Sequence, residues 1–147
     1  MQAQSTIETN TISTLNRLLR GERSAVATYI QAQEHLKGQY AADIEANRAC
    51  HQGRVDALID RISDLGGQPS TEGGAWVGFT KVVENAASLL GTGAVIAALE
   101  QGEDIGLDSY RTPMTELDQV SRQMIDSDIL PAQERTHHRM SMIKKSR

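Results

Sequence analysis

Two glutamates, Glu22 and Glu103, occupy equivalent places in two similar segments of the chain. The segment LLRGERSAVATY at 18–29 aligns without a gap with LEQGEDIGLDSY at 99–110. Both contain LxxGE, followed after five residues by Ser or Thr and then Tyr. Each glutamate falls on a stripe of residues spaced by three and four, which is the buried face of a helix. Because an unpaired carboxylate is costly to bury, we expect each one to have a cation, a proton or hydrogen-bond donors as its partner.

A second pair of segments, NRACH at 47–51 and QERTH at 133–137, also corresponds. The alignment pairs His51 with His137, and both lie on the predicted buried stripes of their helices. With a helical rise of about 1.5 Å per residue, these histidines and the two glutamates reach the same depth. The two halves of the chain are therefore interpreted as copies of one helical hairpin that share a central layer.

This central layer has the donor types of a metal site. Carboxylate oxygens and imidazole nitrogens bind iron, manganese or zinc, and a Glu and a His at positions i and i+3 project from the same side of a helix. The predicted ligands are Glu22, His51, Glu103, Glu134 and His137.

Arg48 is the exception to this pattern, because it is the residue that aligns with the predicted ligand Glu134. A guanidinium group stays protonated and has no lone pair, so Arg48 cannot be a ligand. It could instead form a bidentate ion pair with Glu22 or Glu103. Such a pair would leave either a mononuclear site at Glu134 and His137 or no metal at all, and the sequence leaves both outcomes open.

Four further residues lie near the predicted site. Glu45 and Glu100, each one turn before a stripe position, could supply a further carboxylate ligand. Tyr29 and Tyr110 follow the two LxxGE glutamates by two turns. Their hydroxyls could donate hydrogen bonds to the ligands or take part in redox chemistry, and their rings could simply fill the core.

The elements that must position these residues are four long helices. Apolar periodicity, capping residues and glycines predict helices over about 11–36, 40–65, 94–110 and 116–143. Pro131 predicts a kink in the fourth helix. The long connection between the second and third helices is a turn-rich stretch followed by a short extra helix at 76–90. We therefore predict an all-α four-helix bundle with up-down-down-up topology and a long crossover, as one domain over 1–147 with hairpins at 11–65 and 94–144.

Composition limits the functional classes. The net charge is -4 and charges of both signs are scattered along the chain, which argues against nucleic acid as a partner. A single cysteine favours a reducing compartment, and there is no secretory signal or apolar run of about 18 residues. We expect a cytoplasmic protein with no membrane partner. No phosphate loop, nucleophile elbow or organic-cofactor motif is present, so whether the protein is an enzyme stays open.

The chain resembles the ferritin-like superfamily, which includes ferritins, bacterioferritins and rubrerythrins. The resemblance is carried by LxxGE, the LGGxP turn at 65–69, LEQGED at 99–104 and THHRM at 136–140. It is closest to small bacterial ferritin-like proteins of unknown function. It implies a four-helix bundle with a metal or former metal site, a role in iron handling or oxidative stress, and a homo-oligomer, with a dimer as the expected form.

The resemblance also has a departure. Where the superfamily has the Glu of a second ExxH motif, this chain has Arg48. The competing hypothesis is therefore a non-catalytic helical bundle, a stress or assembly protein, in which Glu, His and Arg side chains form a buried ionic network without metal.

Overall fold

A computed structural model of the protein describes residues 2–73, 81–85, 90–112, 114 and 116–146. Within these ranges the regular structure is helical and contains no strand. The elements are α1 (Gln2–Gln33), a 3₁₀ turn (Gly38–Tyr40), α2 (Ala41–Asp64), α3 (Thr92–Arg111), α4 (Gln119–Met124), a π-helical segment (Ile125–Ile129) and α5 (Leu130–Lys145). None of the helices in the described ranges combines the length and the hydrophobicity of a transmembrane span.

The predicted helices exist, and their ends differ in places. Helix α1 begins at Gln2 and not near residue 11, since the polar stretch before Thr11 contains no residue that breaks a helix. Helices α2 and α3 begin and end within two residues of their predicted limits. Of the predicted extra helix at 76–90, residues 81–85 are helical, and most of the remainder lies outside the described residues.

The fourth predicted helix is one continuous run with a π-helical turn inside it. It begins after Asp118, whose carboxylate accepts a hydrogen bond from the Ser121 backbone N–H at 2.8 Å. The Leu130 N–H donates to the Ile125 carbonyl, five residues earlier, which defines the π turn. Pro131, which has no N–H to donate, follows directly. The extra residue in this turn rotates α5 relative to a straight α-helix, and this sets which side chains of α5 face inward.

The helices pack as two hairpins, α1 with α2 and α3 with α5. The hairpins meet where α1 contacts α3 and where α2 contacts α5. Their buried apolar residues form two separate clusters, and polar side chains are buried between them. The first cluster is Ala25, Tyr29, Ala32, Leu36, Ile44, Val83, Val95, Ile96, Ala98, Leu99, Met140 and Ile143. The second cluster is Leu15, Leu18, Leu19, Val55, Leu58, Ile62, Tyr110, Leu117, Ile125 and Ile129.

Helix α2 ends at the two glycines that predicted its end. Gly66 has a φ of 79°, a conformation that favours glycine, and its N–H donates to the Ser63 carbonyl at 2.9 Å. The Gly67 N–H donates to the Ile62 carbonyl at 2.9 Å, which completes a Schellman motif. A Cβ at Gly67 would lie 2.8 Å from the Ile12 Cγ2 atom, so the absence of a side chain there lets α2 end against α1.

We expect Gly67→Ala to lower the free energy of unfolding by about 1–3 kcal/mol, because the new methyl group overpacks against the branched side chain of Ile12. The matched control is Gly53→Ala inside α2, where a Cβ would meet nothing within 4 Å. That substitution should raise the free energy of unfolding by roughly 0.5–1 kcal/mol through helix propensity. Urea denaturation of both variants is the measurement, and equal effects of the two would contradict the packing described here.

Candidate functional site: a buried ionic network

The imidazole of His51 lies between two carboxylates that come from different hairpins. Its Nδ1 is 2.6 Å from Glu22 Oε2 on α1, and its Nε2 is 2.8 Å from Glu103 Oε2 on α3. The exposed fractions are 1% for His51, 4% for Glu22 and 0% for Glu103. A neutral imidazole has only one N–H, so the ring donates to both carboxylates only as the imidazolium cation. Burial alone would lower the pKa of His51, but the charges of Glu103 and Glu22 raise it above its usual 6.5.

Two buried tyrosines donate to the same two carboxylates, each across the boundary between the hairpins. The Tyr29 hydroxyl on α1 donates to Glu103 Oε2 at 2.6 Å, and the Tyr110 hydroxyl on α3 donates to Glu22 Oε1 at 2.6 Å. Burial and the adjacent carboxylate raise the pKa of both phenols well above 10, so both remain protonated donors. The Tyr29 ring also stacks on His51, with the ring centroids 5.3 Å apart.

Arg54, one turn after His51 on α2, supplies the second cation of the site. Its guanidinium is 3% exposed and donates to Glu22 Oε1 at 3.2 Å, to Thr136 Oγ1 at 2.9 Å and to Gln133 Oε1. Burial would lower the pKa of Arg54, but the charge of Glu22 raises it, so the side chain stays charged. With His51 protonated, two cations face two carboxylates and the formal charge of the site is zero.

Helix α5 closes the site with two neutral side chains. Gln133 Nε2 donates to Glu103 Oε1 at 2.9 Å and to the Glu103 carbonyl at 3.0 Å. Thr136 Oγ1 donates to Glu103 Oε1 at 2.8 Å. Gly106 allows this approach, because a Cβ there would lie 2.7 Å from Gln133 Nε2. A side chain at this position would therefore displace the Gln133 amide from its hydrogen bonds to Glu103.

These residues form one connected set, which we call the central network: Glu22, Tyr29, His51, Arg54, Glu103, Tyr110, Gln133 and Thr136. In this network all four carboxylate oxygens of Glu22 and Glu103 accept a hydrogen bond. Burial would raise the pKa of Glu22, but Arg54 and His51 lower it to about 2. Burial would likewise raise the pKa of Glu103, and His51 and Tyr29 lower it. Both glutamates are therefore carboxylates at neutral pH.

The structure brings together three of the five predicted ligands, namely Glu22, His51 and Glu103. The expectation that Glu134 and His137 share this layer is wrong. Glu134 is exposed and pairs with Arg111 at 3.3 Å, and His137 lies toward the surface, 2.6 Å from Asp104. The inward side of α5 is Ala132, Gln133, Thr136, Met140 and Ile143. The alignment of NRACH with QERTH pairs two buried residues, Asn47 and Gln133, but in the next turn of α5 the buried residue is Thr136 and not His137.

The expectation that Arg48 neutralises a buried glutamate is also wrong. Arg48 lies on the outer side of α2 and pairs with Glu45 at 2.7 Å, so neither residue reaches the central network. Glu100 also lies outside it, 3.5 Å from Lys144. The arginine that is buried against Glu22 is Arg54, which the sequence did not reveal. The signal for it was its spacing of three residues from His51, which places it on the same stripe.

The central network does not fit a metal centre. Every carboxylate oxygen already accepts a hydrogen bond, both nitrogens of His51 face carboxylates, and the Arg54 guanidinium repels a further cation. Elsewhere in the described ranges, too, no group of three or more His, Cys, Asp and Glu side chains is arranged to bind a metal ion. The arrangement is that of side chains that neutralise one another.

A family model described as Domain of unknown function (DUF2383) matches residues 10–116. No curated protein and no solved structure matches the chain. The matched range includes every charged residue of the central network, whereas Gln133 and Thr136 lie beyond it.

Arg54→Ala should lower the free energy of unfolding by about 3–5 kcal/mol, since it leaves Glu22 buried with fewer donors and an uncompensated charge. The control is Arg48→Ala on the same helix. Arg48 forms only an exposed ion pair, and its loss should change stability by less than about 1 kcal/mol. Urea denaturation compares the two variants, and the ionic network would be refuted if both changes were equally small.

The stability of the protein should fall as the pH rises above neutrality. Because the pKa of His51 is raised on folding, its contribution is complete below the unfolded pKa of 6.5 and is lost as pH rises through the folded pKa. Within that window the free energy of unfolding should decrease by about 1.4 kcal/mol per pH unit. The pKa of Glu22 is lowered on folding, from 4.5 to about 2, so its dependence on pH has the opposite sign. Its contribution to the free energy of unfolding is lost as pH falls from 4.5 toward 2.

Urea denaturation between pH 6 and pH 9 measures the alkaline decrease. It should persist in His138→Gln, which changes an exposed histidine, and disappear in His51→Gln. An NMR titration of the wild-type imidazole gives an independent measurement should His51→Gln fail to fold. A His51 ring that loses its proton at or below pH 6.5 in the folded protein would disprove the bridging imidazolium.

Proposed function

We propose that this chain, which belongs to the DUF2383 family, is a non-catalytic helical bundle protein whose centre is stabilised by its own charged side chains and not by a metal. The observation that carries this proposal is the saturation of the two buried carboxylates. Seven donor contacts, from His51, Tyr29, Tyr110, Arg54, Gln133 and Thr136, occupy all four oxygens of Glu22 and Glu103.

The burial of these groups supports a non-catalytic role. A catalytic carboxylate or imidazole must reach a substrate, and in this site His51, Glu22 and Glu103 are each at most 4% exposed and directed at one another. Their charges are neutralised internally, so the network has no unpaired carboxylate or base to offer to a reactant. We infer that its role is to specify how the two hairpins pair.

The proposed topology is up-down-down-up. From the N-terminus to the C-terminus of α1, residues of the second apolar cluster precede residues of the first apolar cluster. The same order holds from α4 to α5. Along α2 and α3 the order is reversed, since Ile44 and Val95 belong to the first cluster and Leu58 and Tyr110 to the second. This order supports a pair of parallel helices, α2 and α3, flanked in sequence by two that run the other way.

An assembly or stress role for such a bundle is part of the proposal, with a cytoplasmic homodimer as the expected form. The acidic composition and the single cysteine support the location. A dimer is inferred from the ferritin-like resemblance, since bundles of that superfamily commonly assemble.

The alternative is a ferritin-like protein that binds iron, manganese or zinc at Glu22, His51 and Glu103 and serves iron handling or the response to oxidative stress. It is supported by the resemblance and by the position of these residues between the two apolar clusters. It requires His51 to lose the proton that bridges the glutamates and Arg54 to move away from Glu22.

Metal analysis separates the two proposals. The protein is purified without chelators, one portion is loaded anaerobically with ferrous iron and desalted, and the metal content of both is measured. We expect far less than one ion per chain in each sample, and a melting temperature that EDTA does not change.

Two pairs of variants show which residues bind any metal that is found. The pair Glu22→Gln and Glu103→Gln changes the central network, whereas Glu134→Ala and His137→Ala change side chains nearer the surface. Stoichiometric iron that is lost only in the first pair would overturn the metal-free proposal in favour of the alternative. Iron lost only in the second pair would place a metal site outside the network and would equally contradict it.

A further inference from the structure

The C-terminal part of α5 carries a strong positive charge in an otherwise acidic protein. Residues 135–145 contain four Lys or Arg residues and no Asp or Glu, whereas the whole chain has a net charge of -4. Arg135 and Arg139 lie four residues apart on one helix, a spacing at which like charges repel and destabilise the helix. A binding partner of opposite charge would relieve this repulsion.

These side chains line a groove between α5 and the start of α2. The groove has a volume of about 520 Å³, a size typical of small-molecule sites. It is lined by Asp43, Arg135, His138, Arg139, Met142, Ile143 and Ser146. Neither Arg135 nor His138 forms an ion pair with any residue that the structure describes. The groove therefore has an excess of positive charge.

Arg139 is fixed in position by the protein. Its Nη1 donates to Asn47 Oδ1 at 2.6 Å, and its Nε lies 3.9 Å from Asp43 Oδ1. The Asn47 amide in turn donates to the Tyr29 hydroxyl at 3.0 Å, which ties Arg139 to the central network. A guanidinium that is already oriented loses less conformational freedom when an anion binds.

We propose that this groove binds a small phosphate monoester. The guanidinium groups of Arg135 and Arg139 match the paired oxygens of a phosphate, and the His138 imidazole adds a donor beside them. Met142, which is 52% exposed, offers an apolar surface to the organic part of the ligand. The Asp43 carboxylate on the opposite wall accepts a hydrogen bond from a hydroxyl or amine, which favours a polar organic phosphate over the bare ion.

The test is an NMR titration of the full-length protein with glucose 6-phosphate at constant ionic strength, with glucose and inorganic phosphate as comparison probes. Saturable shifts are expected for backbone amides of residues 135–146 and Asp43. Glucose should cause none, and inorganic phosphate should bind more weakly than the monoester. Shifts of equal size at arginines throughout the chain would overturn the proposal, because they would indicate non-specific charge binding.

Arg135→Ala is the decisive variant, since Arg135 is exposed and makes no ion pair, so its loss should not affect folding. We expect it to weaken binding by about tenfold. The control, Arg122→Ala, removes an exposed arginine of α4 and should leave binding unchanged. Equal affinity of the wild type and Arg135→Ala would refute the site.

A second arm tests the other source of phosphate monoesters, the headgroup of an anionic lipid. Vesicles containing phosphatidic acid are mixed with the protein and sedimented, and we expect the protein to remain in the supernatant. Sedimentation that Arg135→Ala abolishes, without binding of glucose 6-phosphate, would contradict a soluble ligand. Neither arm depends on the metal content of the central network, so this proposal and the proposed function can fail separately.

Discussion

The position of one imidazole ring between two carboxylates constrains the rest of the structure. His51 is on α2, and the glutamates that it bridges are on α1 and α3, in different hairpins. Both hydrogen bonds form only when the two glutamates lie at the same level and on opposite sides of the ring. The Tyr29 and Tyr110 hydroxyls impose the same condition, because each crosses from one hairpin to the glutamate of the other. The relative position of the hairpins is therefore fixed by hydrogen-bond geometry.

Apolar packing alone would not fix that position as sharply. The two apolar clusters provide most of the stabilising burial, but the hydrophobic effect is non-directional and therefore discriminates weakly between neighbouring alignments of the helices. A slip of one turn in the central layer would leave the buried carboxylates, the guanidinium of Arg54 and the imidazolium unpaired, at a cost of several kcal/mol. The network thus contributes less to net stability than to the choice of one alignment among several apolar ones.

Residue type and spacing predicted that glutamates and a histidine are buried on the first three long helices. They only partly predicted which side of α5 faces inward, and they did not predict that Arg54 is buried. The duplicated LxxGE segments predicted the burial of Glu22 and Glu103, and the stripe on the second helix predicted that of His51. On α5, Gln133 is buried like Asn47, with which it aligns, but the next buried residue is Thr136 and not His137, which aligns with His51. Arg54 was missed because an arginine in a helix is usually exposed. Its burial follows only once Glu22, Gln133 and Thr136 are known to surround it.

The two buried cations differ in a way that determines how the centre responds to its surroundings. Arg54 is charged at every accessible pH, whereas His51 can lose its proton. Loss of that proton leaves the two carboxylates facing a single guanidinium, so the site gains one negative charge in a region of low dielectric. A metal cation would be attracted only to this deprotonated state, because it needs a lone pair on His51 and a free oxygen on each glutamate. The proton on His51 and a metal ion are therefore mutually exclusive occupants of the same position, and a metal ion binds there only by displacing a proton whose release the two carboxylates disfavour.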